Sequence, residues 1–139
     1  MDMKYLGIDY GKKRTGLAVS SDDASIAFPL RVIETTHTLA NTIAEIIDQE
    51  HIEKIVIGES KDRAGNDNSI MEDVRDLMGQ LSLLVAIPID TQREDFSTSS
   101  AMRSMIPEKN VTRSRTKKPT GDSDARAAAL ILQRYLDKT

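Results

Sequence analysis

The fold is organised around residues 6–19, which read Leu6-Gly7-Ile8-Asp9-Tyr10-Gly11-Lys12-Lys13-Arg14-Thr15-Gly16-Leu17-Ala18-Val19. Two apolar runs flank a short basic turn, which predicts two strands paired antiparallel as a hairpin. The first strand ends in Asp9. A carboxylate there is costly to bury unless a metal, a phosphate or a hydrogen-bond donor lies beside it. Asp9 is therefore either part of a binding site or, in the simpler interpretation, a residue of the turn.

Composition indicates an ordinary globular protein. The chain has 139 residues, of which 39% are hydrophobic and 29% charged, and it has no cysteine and two histidines. We expect a single domain over residues 1–139, in a reducing cytoplasm, with no disulfide and no cysteine-ligated metal. The sequence shows neither a run long enough to span a membrane nor a signal peptide.

Positive charge is concentrated in one segment, residues 109–118. The net charge of the chain is −3, and this segment holds five basic residues and no acid, which leaves −8 on the rest. A basic segment on an acidic body is typical of a local site for a polyanion. The alternative is a solvated loop that happens to be basic. The five residues are Lys109, Arg113, Arg115, Lys117 and Lys118.

The order of predicted elements indicates an α/β fold. Strands are predicted at residues 4–9, 15–20, 26–34, 54–58 and 83–89, helices at 38–50, 70–81 and 124–136, a short helix at 94–105 and an irregular segment at 106–121. Pro29 places the third strand at an edge. We predict a mixed five-stranded sheet, in which an antiparallel meander of the first three strands precedes two parallel strands, with helices packed on it.

Acidic residues follow the ends of several predicted elements. If the first strand is central and the fourth and fifth lie parallel to it, their carboxyl ends share one edge of the sheet, where ligands bind in open α/β sheets. A cluster of oxygen ligands suits Mg²⁺ or Mn²⁺, which can promote phosphodiester hydrolysis. The alternative is that the acids before the last helix cap it and the others lie on the surface. The candidates are Asp9, Glu59, Glu94, Asp122 and Asp124.

Four stretches together resemble the YqgF family, whose RNase H-like members are described as pre-16S rRNA nucleases or Holliday-junction-resolvase-like proteins. The first and last stretches are fairly specific in combination, and the similarity spans nearly the whole chain. The stretches are the turn from Gly7 to Gly16, Ile55-Val56-Ile57-Gly58, Glu94-Asp95-Phe96-Ser97-Thr98, and the helix that begins Asp124-Ala125-Arg126-Ala127.

The resemblance implies an RNase H-like fold and an active-site triad of Asp9, Glu94 and Asp124 that holds Mg²⁺ or Mn²⁺. It also implies that the basic segment contacts the nucleic-acid backbone, which gives affinity and salt dependence but little sequence choice. The predicted nucleic-acid contacts are Lys12, Lys13 and Arg14 in the turn and Arg113, Arg115, Lys117 and Lys118 in the segment.

Two departures from the family pattern leave the middle acid open. Arg93 and Asp95 exchange the charges that usually flank the glutamate at position 94, and Glu59-Ser60 replaces an apolar residue and a proline. Related junction resolvases place a catalytic glutamate at the end of the fourth strand. Glu59 therefore either supplements Glu94, replaces it, or is an ordinary loop residue, and Asp122 is a further candidate beside Asp124.

Four functions follow from these residues. The first is a metal-dependent nuclease that processes structured RNA, with pre-16S rRNA as the substrate. The second is a Holliday junction resolvase acting on branched DNA, and the third is a non-catalytic RNA-binding factor in ribosome assembly. The fourth is an ATPase of the actin-like or sugar-kinase type, although those proteins close two such domains around ATP. We expect a monomer or weak homodimer that does not bind a membrane.

Overall fold

A computed structural model of the protein describes residues 3–59, 69–93 and 122–138. The strands are β1 (Tyr5–Asp9), β2 (Arg14–Ser20), β3 (Ala27–Glu34), β4 (Lys54–Glu59) and β5 (Ile89–Arg93), and the helices are α1 (Leu39–Glu50), α2 (Ser69–Leu84) and α3 (Asp122–Lys138).

The five strands form one mixed sheet in the order β3-β2-β1-β4-β5. Strand β1 is central; it pairs antiparallel with β2 and parallel with β4, and β5 continues the parallel half. This arrangement confirms the predicted α/β fold, including the meander of the first three strands. The edge position of β3, which contains Pro29, is also confirmed.

Helices cover both faces of the sheet. On one face, α1 and α2 pack on alternate residues of the central strands, among them Leu6, Ile8 and Ile57. On the other face, α3 is the one described helix that packs on the sheet, with Leu132 and Ile131 against Val56. Successive strand residues point to opposite faces of the sheet. The strand residues that alternate with Leu6, Ile8 and Ile57 therefore point toward α3.

The predicted position of the fifth strand was wrong. The apolar run at residues 83–89 predicts a strand, but its first two residues end α2, and the strand starts only at Ile89. Leu83 is 88% exposed, so this part of the run is not core. Strand β5 is polar in sequence because it lies at the edge of the sheet, where only part of its side-chain surface is covered.

The predicted helix at 94–105 and the irregular segment at 106–121 lie outside the described residues. Among the helices that the structure does describe, none is both long and apolar enough to cross a membrane.

A polar cluster ties β5 to α3 and β4. The Tyr135 hydroxyl donates a hydrogen bond to Asp90 Oδ2 at 2.7 Å, and Lys54 Nζ lies 3.9 Å from the same oxygen. The Lys54 ammonium also lies 5.2 Å from the centre of the Tyr135 ring. The hydrogen bond from Tyr135, more than any other interaction, lowers the pKa of the Asp90 carboxyl below its usual value. The cluster therefore holds an edge strand against the C-terminal helix.

The lowered pKa of Asp90 makes this contribution to stability depend on pH. The folded state binds fewer protons than the unfolded chain, so the stabilisation is present above the unfolded carboxyl pKa of about 4 and is lost as pH falls through the lower, folded value. We expect Tyr135→Phe to lower the free energy of unfolding by about 1 kcal/mol at pH 7, and by less at pH 3. Urea unfolding at the two pH values measures the difference.

Tyr5→Phe is the matched control for this prediction, since it removes a hydroxyl from the neighbouring ring, 6.0 Å from that of Tyr135. Its effect should be small at both pH values. An equal loss of stability at pH 3 and pH 7 in Tyr135→Phe would contradict the role given to Asp90.

Candidate active site

Asp9 is the last residue of the central strand and lies on the α3 face of the sheet. Two positions earlier, Gly7 faces α3 so closely that an added Cβ would lie 2.8 Å from the Leu132 Cβ. Tyr5 packs in the same α3 cluster. Because residues 5, 7 and 9 of a strand share a face, the Asp9 side chain begins on the side of the sheet that α3 covers.

The first turn of α3 sits directly on the hairpin at the level of Asp9. Gly16 is the partner of Asp9 in the β1–β2 register. A Cβ at position 16 would overlap the backbone carbonyl of Asp124, so only glycine allows this approach. The close contact brings Asp124 to the same face and the same level of the sheet as Asp9. The sequence analysis named both acids as candidates, but it did not predict the contact at Gly16.

Arg14 connects the basic turn to the last helix. Its Nε lies 2.9 Å from Asp124 Oδ2, and both side chains remain partly exposed. The sequence predicts Arg14 as a contact for nucleic acid, but in this structure the guanidinium binds a candidate metal ligand. No sequence signal indicated the pairing, because the two residues are 110 positions apart.

Two threonines hold the basic turn in place. The Thr35 hydroxyl donates to the backbone carbonyl of Gly11 at 2.6 Å and lies 2.7 Å from the hydroxyl of Thr15, which is fully buried. The backbone N–H of Thr35 also donates to the carbonyl of Lys13 at 3.0 Å. Sequence reasoning missed Thr35, which follows β3 and carries no motif signal. Its bonds fix the turn that presents the basic side chains.

The remaining basic residues of the turn are exposed. Lys12 Nζ lies 3.9 Å from Asp73 Oδ2 on α2, and Lys13 projects from the same turn. Tyr10 beside them has a raised pKa, first because burial disfavours the phenolate and then because Asp73 and Asp76 are negative. The turn thus has acidic residues of α2 on one side and Asp124 on the other.

Glu59 lies on the opposite face of the sheet from Asp9. It ends β4, in which Ile55 and Ile57 point to the α1 and α2 side, and position 59 continues that alternation. Its Oε2 accepts a hydrogen bond from the Thr91 hydroxyl at 2.8 Å. The structure therefore does not bring Glu59 together with Asp9 and Asp124.

The other predicted site residues fall outside the part of the chain whose side chains the structure describes. Glu94 and the basic residues Arg113, Arg115, Lys117 and Lys118 lie outside the described residues, and Asp122 begins α3 but its side chain is not described. Within residues 3–59, 69–93 and 122–138, no three carboxylates or imidazoles come close enough together to hold a metal ion.

A buried side-chain amide lies on the α3 face of the sheet, near the carboxyl end of β5. Across the sheet, Gly58 is the partner of Gln92 on β5, whose side chain is almost fully buried. The Gln92 amide donates to the carbonyl of Arg93, while its Oε1 has no hydrogen-bond partner within the described structure. An unsatisfied buried acceptor of this kind calls for a donor such as an ordered water. Sequence reasoning missed this group.

The donor chemistry at this edge suits a hard cation. Asp9 and Asp124 supply carboxylate oxygens from two separate elements, and Gly16 between them adds no side chain. Such oxygen ligands are those that Mg²⁺ and Mn²⁺ prefer. Strand β5 ends at Arg93, so the chain leaves the sheet at this same edge immediately before Glu94.

The contact at Gly16 makes a direct prediction. Gly16→Ala should lower the free energy of unfolding by about 2 kcal/mol, because the first turn of α3 must move away from the hairpin. Gly79→Ala is the control: no atom of the described residues outside α2's own backbone would lie within 4 Å of the added Cβ, so the substitution should stabilise the protein by about 0.5–1 kcal/mol. Urea unfolding of both variants tests the pair. Wild-type stability in Gly16→Ala would contradict the contact.

Comparison with known proteins identifies the family. The family model described as "RuvX: Holliday junction resolvase" matches residues 3–138. A protein of Maridesulfovibrio salexigens named "Putative pre-16S rRNA nuclease" is 35% identical over 136 residues, covering 96% of this chain and 98% of that protein. A Streptococcus pneumoniae protein of the same name is 29% identical over 140 residues, covering 98% and 99%.

Solved structures confirm the RNase H-like fold. Thermus thermophilus RuvC in complex with a Holliday junction superposes with a TM-score of 0.59 at 16% identity, covering 98% of this chain and 94% of that one. The fowlpox virus Holliday junction resolvase gives 0.57 at 10% identity, covering 99% and 100%. The match over residues 3–138 confirms the resemblance seen in the sequence: the chain belongs to the RuvX (YqgF) family of resolvase-like nucleases, hydrolases that act on phosphodiester bonds.

Proposed function

We propose that the protein is a metal-dependent nuclease in which Asp9, Glu94 and Asp124 hold Mg²⁺ or Mn²⁺. One observation supports the proposal: the backbone of Asp124, in the first turn of the last helix, packs on Gly16, which is the register partner of Asp9 on the central strand. Glu94 follows Arg93, the last residue of β5, in the sequence and is the acid we assign as the third ligand.

The residues present fit this chemistry. A divalent ion bound there would activate a water for attack on the phosphodiester and neutralise charge on the leaving oxygen. Asp9, at the end of a core strand, supplies a rigidly placed carboxylate, while Asp124 is held by the contact of its backbone with Gly16. Rigid placement of both ligands on regular elements favours a defined geometry at the reacting phosphate.

We assign the nucleic-acid contacts to the basic turn and to the segment at residues 109–118. Lys12 and Lys13 are exposed on the turn that follows Asp9, which supports contact with phosphates of the nucleic-acid backbone. Contacts of this kind bind any backbone, so the substrate would be recognised mainly by its shape. Structured nucleic acid fits such a site better than a particular sequence does.

The proposed substrate is precursor 16S rRNA, cleaved in the cytoplasm during ribosome biogenesis. Support comes from relatives that carry the name of a pre-16S rRNA nuclease and match nearly the whole chain at 29–35% identity. The solved resolvase structures are only 10–16% identical, so they support the fold and not the substrate.

A second candidate is resolution of Holliday junctions in DNA. The description of the family model favours it. The chemistry would be the same, but two sites must act on one junction, so this function expects a dimer. A third candidate function is a non-catalytic RNA-binding factor of ribosome assembly. The exchanged charges of Arg93 and Asp95 around Glu94 favour it.

A cleavage assay tests the proposal. Purified protein should cut a pre-16S rRNA fragment only when Mg²⁺ or Mn²⁺ is present, and should cut single-stranded RNA and four-way DNA junctions more slowly. Asp9→Asn and Asp124→Asn should each reduce the rate at least about 100-fold, because each removes a charged metal ligand.

Asp48→Asn is the matched control, since Asp48 is an exposed carboxylate of α1 on the opposite side of the sheet. It should cut at the wild-type rate. Metal-independent cleavage would contradict the mechanism, faster cutting of the junction would favour the resolvase, and RNA binding without any cleavage would favour the assembly factor.

Two further variants identify the middle acid. Glu94→Gln should abolish cleavage, whereas Glu59→Gln should keep most of it, because the Glu59 carboxylate binds Thr91 on the face away from Asp9. Single-turnover rates with the rRNA fragment compare the two. Loss of activity in Glu59→Gln with retention in Glu94→Gln would reverse the assignment.

A further inference from the structure

Arg14 forms an ion pair with Asp124, one of the two acids of the candidate site that the structure describes. Its Nε lies 2.9 Å from Asp124 Oδ2, with the arginine side chain 45% exposed and the aspartate 32% exposed. A contact at this distance is a charge-assisted hydrogen bond, and it involves the carboxylate that we assign as a metal ligand. The Arg14 guanidinium and a divalent cation would therefore compete for the Asp124 carboxylate.

The position of Arg14 explains why the pair forms. The backbone of Asp124 packs on Gly16, the register partner of Asp9, so the two acids belong to one face of the sheet at one level, where a positive charge reduces the repulsion between carboxylates. Arg14 begins β2, two residues before Gly16, so its side chain starts on the same face. Arg14 thus places a positive charge against Asp124, on the face of the sheet to which Asp9 also belongs.

We propose that Arg14 is an internal counter-ion of Asp124, which a divalent cation displaces when it binds. The inference rests on the proposed function in that Asp124 is a metal ligand. The metal then binds against a competing charge, and Arg14 lowers the affinity of the free protein for the metal. This assigns to Arg14 a role other than the permanent phosphate contact that the sequence predicts.

Displacement has a consequence for the substrate. Once Asp124 is bound to a cation, the guanidinium is repelled by that cation and is released beside Lys12 and Lys13 of the same turn. Phosphate oxygens are the natural partners of a free guanidinium at such a surface. Metal binding would thus add a positive side chain to the surface that meets the nucleic acid.

Metal affinity measured without nucleic acid tests the inference. Isothermal titration calorimetry with Mn²⁺ alone should show tighter binding to Arg14→Gln than to wild type, by about two- to fivefold, which is the range of a half-exposed ion pair. Arg14→Lys keeps the charge and should bind Mn²⁺ with an affinity closer to that of wild type.

Lys13→Gln is the matched control, because it removes the same charge from the adjacent exposed position. It should change the affinity for Mn²⁺ by less than the Arg14→Gln variant does. Equal tightening in both variants would show a general charge effect and overturn the inference, as would weaker binding or no change in Arg14→Gln.

A second measurement guards against a folding defect. In EDTA, Arg14→Gln should unfold about 1–3 °C below wild type, since the ion pair is lost. Added Mn²⁺ should raise its unfolding temperature by more than that of wild type. Failure of the proposed function looks different: wild type would not bind Mn²⁺, or Asp9→Asn and Asp124→Asn would bind it as well as wild type, and the inference would fall with it.

Discussion

The close contact between the first turn of α3 and Gly16 is the constraint on which the site depends. It involves backbone on both sides: the carbonyl of Asp124 occupies the space that a side chain at position 16 would need. Because Gly16 is also the register partner of Asp9, this single contact sets the level at which the last helix crosses the central strand. The position of Asp124 relative to the central strand therefore results from helix–sheet packing, and the contact at Gly16 cannot be opened without disturbing the core of the α3 face.

The negative charge of Asp124 is paired with a positive charge from the same hairpin on which its helix packs. Arg14 stands at the start of β2, on the face that carries both acids, and pairs with Asp124. The basic turn before it is held by Thr35, which binds the backbone of Gly11 and Lys13. One short hairpin thus supplies Asp9, the glycine that allows the helix to approach, and the arginine that pairs with Asp124. The hairpin is at once a structural element and the centre of the proposed chemistry.

The alternation of strand residues separates acids that sequence reasoning placed together. Glu59 and Asp9 end neighbouring parallel strands, and on that ground both were candidates for one metal site. Yet Glu59 follows Ile55 and Ile57 onto the face of α1 and α2, while Asp9 follows Gly7 onto the face of α3. Ending at the same edge of a sheet is thus not enough to make two residues neighbours. Two such residues share a face only if each strand, in its register, points both side chains to the same side of the sheet.

The sequence by itself determined the α/β class, the meander and the parallel β4, because apolar periodicity and turn residues are local signals. The central position of β1 was a condition of the sequence argument that the structure supplied. It also determined Asp9 and Asp124 as candidates through their places at the ends of elements. It misplaced β5, since an edge strand is too polar to stand out from the apolar end of α2. Only the tertiary structure decided three features: the ion pair of Arg14 with Asp124, the hydrogen bonds of Thr35 to the turn, and the face of the sheet on which Glu59 lies. Each of these depends on contacts between residues far apart in the chain or on strand parity at a sheet edge, and neither leaves a mark in local sequence.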